Sequence, residues 1–299
     1  MQAQALKTRL ERAASRGDWV GLVADYFSAH ELHYGHGTES AADEAYWLVW
    51  QTSGRPRDLA GLPPDAPLAA RVARLARRRV EERKPLAYLV GSAWFAGLSF
   101  EVGPAVLVPR SPLAELVERG FAPWCGLRAG DRVLDVGTGS GCIAVATAVL
   151  NPGVEVDATE IDPAALVVAR ANVARHGVAE RVRLFEADLF PHGGTRYRVI
   201  IANPPYVPTA LLASLPAEYG QEPRAALDGG DDGLAVVRRL LAGASRRLTE
   251  DGVLIVEVGL VADAVTAAWP RVPFTWLGLE RGGDGVFLLT ADELKDGWG

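Results

Sequence analysis

Cysteine is nearly missing. Cys125 and Cys142 are the only two in 299 residues, and without metal-ligand spacing around them they argue against a disulfide framework or a structural zinc site. Histidine is scarce too, at five. His30, His33 and His36 lie nearest one another, and with no cysteine or carboxylate cluster beside them they read as solvated helix-end residues, so no metal is expected. No apolar run approaches the roughly 20 residues that a membrane span requires. The opening Met-Gln-Ala-Gln-Ala-Leu-Lys has no apolar signal-peptide core. A cytoplasmic protein without membrane contact is expected. Overall positive charge is also lacking, since the net charge is −6, which argues against a general nucleic-acid coat protein. There is no internal repeat and no low-complexity tract.

What remains is an ordinary globular composition, 49% hydrophobic and 23% charged, long enough for two domains with proper cores. Residues 1–92 read as a helical domain. Amphipathic segments run from Ala5 to Ala14, from Asp18 as a cap through Leu32, and from Ser40 or Asp43 through Trp50. Trp47 and Trp50 read as core. After a Gly- and Pro-rich loop at 54–67, a helix over residues 68–84 holds seven basic residues against Glu81 and Glu82. This basic stripe fits a weak contact with RNA phosphates; a solvated helix face, with arginine stems over apolar neighbours, explains it equally well. Residues 93–111 change texture. Apolar residues from Ala93 to Val108, broken by Gly97 and Gly103-Pro104, predict a β-hairpin linker. From 112 to 299 strands alternate with helices, which predicts an α/β domain whose mostly parallel sheet ends in an antiparallel hairpin, Phe274–Glu280 with Val286–Thr290.

Two stretches carry chemistry. The first is Val199 to Val207, where a short β-branched strand gives way to Asn203-Pro204-Pro205-Tyr206. The two prolines stop further strand pairing because neither ring nitrogen can donate. A rigid turn beyond a strand's carboxyl end, offering an amide oxygen, a carbonyl and an aromatic ring, suits a planar NH2 group. The second is the strand Arg132–Val136 followed by Gly137-Thr138-Gly139-Ser140-Gly141. A glycine loop between strand and helix also serves dinucleotides. Here Cys142 stands where a dinucleotide loop has its third glycine, and Asp135 inside the strand would repel a pyrophosphate while suiting an ammonium. That favours S-adenosylmethionine over a nicotinamide dinucleotide. Glu160, beside Ile161, is placed for ribose hydroxyls. Asp188 is placed for an adenine amino group, with Leu189 or Phe190 against the ring.

Val-Leu-Asp-Val-Gly-Thr-Gly-Ser-Gly at 133–141 together with Asn-Pro-Pro-Tyr at 203–206 resembles the class I, Rossmann-like methyltransferases that act on planar amino groups. The resemblance implies that the Asn203 side-chain oxygen and the Pro204 carbonyl accept the two NH2 hydrogens, turning the nitrogen lone pair toward the methyl donor. Asn-Pro-Pro-Tyr is shared by adenine-N6 DNA methyltransferases. The segment from Ala93-Trp94-Phe95 to Pro109-Arg110-Ser111-Pro112, with Glu222-Pro223 and Asp232-Gly233-Leu234, is similar instead to the protein-(glutamine-N5) methyltransferases. Release-factor enzymes usually follow Pro-Arg with Pro, an acid, Thr and Glu. Ser111-Pro112 and Leu215-Pro216-Ala217-Glu218-Tyr219 look like the branch that modifies a glutamine of the third large-subunit ribosomal protein, free or in an assembly intermediate. Arg110 either contacts that substrate or closes the hairpin. Release-factor methylation, adenine-N6 methylation of DNA and a non-catalytic RNA-binding factor are the alternatives.

Overall fold

The computed structural model describes residues 3–296. The chain forms two compact units, one of residues up to 93 together with Pro216–Gln221, the other of residues 94–215 and 222–299.

The first unit is helical: α1 (Ala3–Arg12), α2 (Arg16–Ser28), α3 (Ala41–Thr52), α4 (Ala66–Glu82) and the short α5 (Leu86–Val90). Its helix starts have local causes. Ser15 caps α2, accepting from the Asp18 N–H while the Asp18 carboxylate accepts from the Ser15 N–H. Asp18, expected as the cap, is therefore the third residue of the helix and closes a capping box with Ser15. Ser40 caps α3. Asp65 caps α4 and Pro67 sits in its first turn, so this helix begins two residues before the expected Leu68. Leu6, Leu10, Trp19, Phe27, Leu48 and Val72 are fully buried between the helices.

Arg79 corrects the reading of α4 as a basic face. It follows Val72 and Ala76 at helical spacing, on the buried stripe. Its guanidinium is fully buried and donates to both Glu44 oxygens (2.8 and 3.3 Å), to Glu218 (3.0 Å) and to the His33 carbonyl (2.7 Å). Arg83 also pairs with Glu218 at 3.0 Å, while Arg77, Arg78 and Lys84 pair with Glu81 or Glu82. Arg71 and Arg74 are exposed. The surface is thus less positive than the sequence count suggests. His33 and His36 pack against Tyr219, with ring centroids 5.4 and 4.7 Å away. Removing one partner of a buried charge network leaves the others uncompensated. Arg79→Ala should cost the helical unit about 3–5 kcal/mol in denaturant unfolding, whereas Arg71→Ala should change stability by less than about 0.5 kcal/mol.

Between 92 and 101, β1 (Ser92–Phe95) and β2 (Leu98–Glu101) pair through a turn with positive φ at Ala96 (48°) and Gly97 (73°). The hairpin is shorter than the expected 93–108. Gly103-Pro104 breaks the strand into a turn, closed by the Val106 N–H donating to the Gly103 carbonyl, and Val106 and Val108 are buried beyond it.

The second unit continues with α6 (Leu113–Glu118), β3 (Arg132–Val136), α7 (Cys142–Leu150), β4 (Glu155–Glu160), α8 (Pro163–Arg175), β5 (Val182–Glu186), β6 (Tyr197–Ala202), α9 (Ala235–Ala244), β7 (Leu248–Glu257), α10 (Ala262–Ala268), β8 (Thr275–Trp276), β9 (Val286–Thr290) and α11 (Ala291–Asp296). The seven strands lie in the order β5-β4-β3-β6-β7-β9-β8. The first five are parallel and β9 runs antiparallel to both its neighbours. β8 is shorter than the expected 274–280, although the Leu277 N–H still donates to the Val286 carbonyl. Apolar residues of α6, α7 and α8 cover one face, and those of α9, α10 and α11 the other. Burial on both sides is why the strand sequences read as unbroken β-branched runs. From β3 the chain builds outward through β4 to β5, then returns to start the other half at β6. Ligands of open α/β sheets sit at the carboxyl ends of the strands beside such a reversal.

Candidate active site

Strand register builds the site. Val136 lies opposite Thr159 on one side and Ala202 on the other, and Ala202 lies opposite Val256. The next residue on each of these four strands is therefore in one row along the carboxyl edge: Glu160, Gly137, Asn203 and Glu257. The two stretches singled out in the sequence are neighbours in space.

The glycine loop is held from below. The Gly137 and Thr138 N–H groups both donate to the Thr159 carbonyl at 2.9 Å. Asp135 is fully buried, and its Oδ2 accepts from the Thr138 hydroxyl (2.5 Å) and the Ala144 N–H (3.1 Å), clipping the loop to the first turn of α7. Its Oδ1 is buried with no hydrogen-bond partner among the described residues. Burial, helped by the charge of Glu160 and opposed by those two hydrogen bonds, pushes this carboxyl up to about 7. Gly141 caps α7 at φ 78°, where a Cβ would lie 3.3 Å from the Ala169 side chain. Thr138 and Ser140 are buried, so the loop presents backbone. Burial pushes the Cys142 thiol up to about 12, which keeps it protonated.

Glu160 is tied to backbone. Oε2 accepts from the Gly139 N–H (2.9 Å), and Oε1 from the N–H groups of Ile161 (2.8 Å) and Asp162 (3.1 Å). Beside it, the Ile161 side chain is exposed. Asp188 shares its carboxylate with Arg239 at 2.7 Å. Leu189 adopts φ 68°, and its carbonyl accepts from the Thr159 hydroxyl at 2.7 Å. Phe190 is half-buried and, like Leu189, packs against the core that includes α9. The Arg247 guanidinium lies 4.3 Å from the Phe190 ring centroid, and a Cβ on Gly243 would come within 2.5 Å of the ring.

In the Asn203 turn, Asn203 and Pro205 are half-buried and Pro204 is buried. Tyr206 is braced rather than free: its hydroxyl donates to Glu257 Oε1 at 3.2 Å and its ring lies against Gly259. The turn leads into Val207, whose N–H donates to the Leu227 carbonyl and whose carbonyl accepts from the Gly229 N–H. Arg110 makes a two-pronged pair with Glu222 (2.7 and 2.8 Å), and Glu222 Oε1 also accepts from the Val108 N–H at 2.9 Å. Arg110 is thereby committed to closing the segment after the hairpin.

Three supporting roles escaped the sequence reading. Glu222 entered only through the resemblance and Glu257 not at all, because their partners are distant in the chain, from 51 residues (Tyr206 to Glu257) to 146 (Ser111 to Glu257). Asn172 left a signal: an asparagine in the apolar run of α8 is out of place by helix propensity. It is fully buried, and its amide group donates to the carbonyls of Glu101 and Ser140 while accepting from the Glu101 N–H.

Residues 124–213 match the family model described as Methyltransferase small domain. The ribosomal protein uL3 glutamine methyltransferase of Xanthomonas campestris pv. campestris is 44% identical over 282 residues, covering 93% of this chain and 91% of its own. That of Bordetella pertussis is 42% identical over 285 residues, covering 93% of this chain and 95% of its own. That of Francisella tularensis is 39% identical over 283 residues, covering 93% and 90%. Among solved structures, the hMettl16 catalytic domain in complex with MAT2A 3′UTR hairpin 1 matches with a TM-score of 0.51 at 18% identity, covering 82% of this chain and 91% of that one, a likeness of the class I methyltransferase fold alone. Identity at that level over nearly the whole length settles the family: the chain belongs to the ribosomal protein uL3 glutamine methyltransferases.

Proposed function

We propose that the chain transfers a methyl group from S-adenosylmethionine to the side-chain amide nitrogen (N5) of a glutamine in uL3, the third large-subunit ribosomal protein. The observation that carries this reading is the Asn203-Pro204-Pro205-Tyr206 turn at the end of β6, one strand from the glycine loop, in a chain 39–44% identical to relatives named for that activity.

An amide nitrogen is a poor nucleophile because its lone pair is delocalised into the carbonyl. Asn203 Oδ1 and the Pro204 carbonyl accept the two NH2 hydrogens and favour the geometry in which the lone pair points out of the amide plane. This is catalysis by position and electrostatics, with no covalent enzyme intermediate. Tyr206 packs along the acceptor amide. The orphaned oxygen of Asp135 and the row of acids suit a cationic cofactor without phosphate. When bound, S-adenosylmethionine supplies an electrophilic methyl on a sulfonium. The residues that would hold it are Gly137 to Gly141 over the Asp135 clip, Glu160 with Ile161, and the segment Asp188-Leu189-Phe190, with Leu189 or Phe190 against the adenine ring.

Residues 1–92 serve to recognise the protein substrate, 93–111 form the linker and 112–299 carry out the chemistry. Exposed Arg71 and Arg74 are the part of α4 left to touch RNA phosphates if the substrate is an assembly intermediate. A ribosomal-protein substrate makes the cytoplasm the working compartment. Among the described residues no helix is long and apolar enough to cross a membrane.

Labelled methyl transfer into a ribosome-assembly extract lacking this enzyme is the direct test, with the labelled protein identified by mass. Label on a uL3 glutamine is expected; label on a release factor would move the substrate, and no label would overturn the activity. Asn203→Ala should lower turnover by about 10²–10³-fold, as loss of one transition-state contact does, while cofactor affinity by calorimetry stays within about twofold.

A second expectation concerns Asp135. Its folded value of about 7 lies above the ordinary 3.8, so the free protein loses stability as pH rises from about 4 to about 7. A bound cation favours the ionised form. Affinity for S-adenosylmethionine should therefore rise as pH passes through about 7. Asp135→Asn should flatten both dependences, measured as Tm against pH and as calorimetric affinity at pH 6 and 8.

A further inference from the structure

Glu257 ends β7 and follows Asn203 in the same row. It is 5% exposed, and a carboxyl buried that far must be satisfied by its neighbours. Its two oxygens reach two separate pieces of chain. Oε2 accepts from the Ser111 hydroxyl at 2.5 Å, and Oε1 from the Tyr206 hydroxyl at 3.2 Å. Burial raises its pKa, against the pull of these two hydrogen bonds and the charge of Arg110.

Both ends of the bridge are fixed independently. Ser111 Oγ also accepts from the Leu113 N–H at the start of α6 (3.2 Å), and its neighbour Arg110 is clamped by Glu222. The Tyr206 ring is seated on Gly259, which stands at φ 47° and where a Cβ would fall 2.8–3.0 Å from the ring. The Gly259 N–H in turn donates to the Gly285 carbonyl. Ring and hydroxyl together leave Tyr206 one orientation, and the turn that carries Asn203 and Pro204 inherits it.

We propose that Glu257 is a positioning residue for methyl transfer: by bridging the hydroxyls of Ser111 and Tyr206, it fixes the turn from which Asn203 and Pro204 present their acceptors. The inference rests on the proposed reading of that turn as the acceptor-amide site. Glu257 acts through Tyr206.

The test compares Glu257→Gln, Tyr206→Phe, Ser111→Ala and the double variant Tyr206→Phe/Glu257→Gln with the wild type. It measures kcat and KM for uL3, calorimetric affinity for S-adenosylmethionine, and Tm. Each single change should lower kcat roughly tenfold, the effect of one lost hydrogen bond to a buried carboxyl, with KM and cofactor affinity within about twofold. The double variant should be no slower than Glu257→Gln alone, because both changes break the same bridge. Independent losses that multiply to about a hundredfold would overturn the proposal, as would an unchanged kcat with a lowered Tm. Tyr206→Phe and Ser111→Ala remove only a hydroxyl and decide the matter alone if Glu257→Gln fails to fold. A wild-type enzyme that labels no glutamine would overturn the functional reading and this inference with it. A wild type that turns over, with every variant equal to it, would overturn this inference alone.

Discussion

The parallel pairing of β3 with β6 is the constraint on which the site depends. Val136 opposite Ala202 makes Gly137 and Asn203 neighbours although 66 residues separate them in the chain. A slip of one residue would turn every β6 side chain to the opposite face and drive the apolar residues on one side into the wrong core. Packing on both faces therefore fixes the catalytic geometry: Val199 and Ile201 lie in one core cluster, Ile200 and Ala202 in the other. The chemistry is placed by the burial of residues that take no part in it.

The same edge gathers acids, and their repulsion has to be managed. Asp135 and Glu257 are almost fully withdrawn from water and held toward their neutral forms by burial. Glu160, half-buried, has its carboxylate oxygens occupied by three backbone N–H groups. A phosphate in this row would meet carboxyl groups on three strands; a cation meets a set of groups that gain from its arrival. That preference was visible in Asp135 from the sequence, but not its means. The structure has Oδ2 of Asp135 clip the glycine loop through Thr138 and Ala144 and leaves Oδ1 without a partner among the described residues.

Legibility followed the range of the interaction. Strands buried on both faces, the Gly137–Gly141 loop, the proline-stopped turn and the antiparallel end of the sheet are all written in short windows, and the residues alone were enough to find them. Asp18 and Ser15 were confused because both can cap, and which does depends on where α1 ends. Arg79 was misjudged for a different reason. Charge is the strongest local cue to exposure, and only the distant Glu44 and Glu218 make its burial tolerable. The hairpin was drawn too long because Val106 and Val108 alternate as strand residues do, while being buried without a partner strand.

Why the turn needs so much support follows from the acceptor. An amide nitrogen attacks only when its lone pair is held away from the carbonyl, and a misplacement of about 1 Å is enough to lose a hundredfold in rate. Pro204 and Pro205 stiffen the turn from within, since each fixes its own φ, yet the same rings remove the N–H donors by which a turn is ordinarily pinned to its neighbours. The pinning must come from the residues after the prolines. Val207 supplies it on one side, through the Leu227 carbonyl and the Gly229 N–H. Tyr206 supplies it on the other, through Glu257 and the seat on Gly259. In the proposed reading, the turn that presents Asn203 and Pro204 therefore depends on Tyr206 for direction, and Tyr206 on a carboxyl that the sequence offers no local reason to notice.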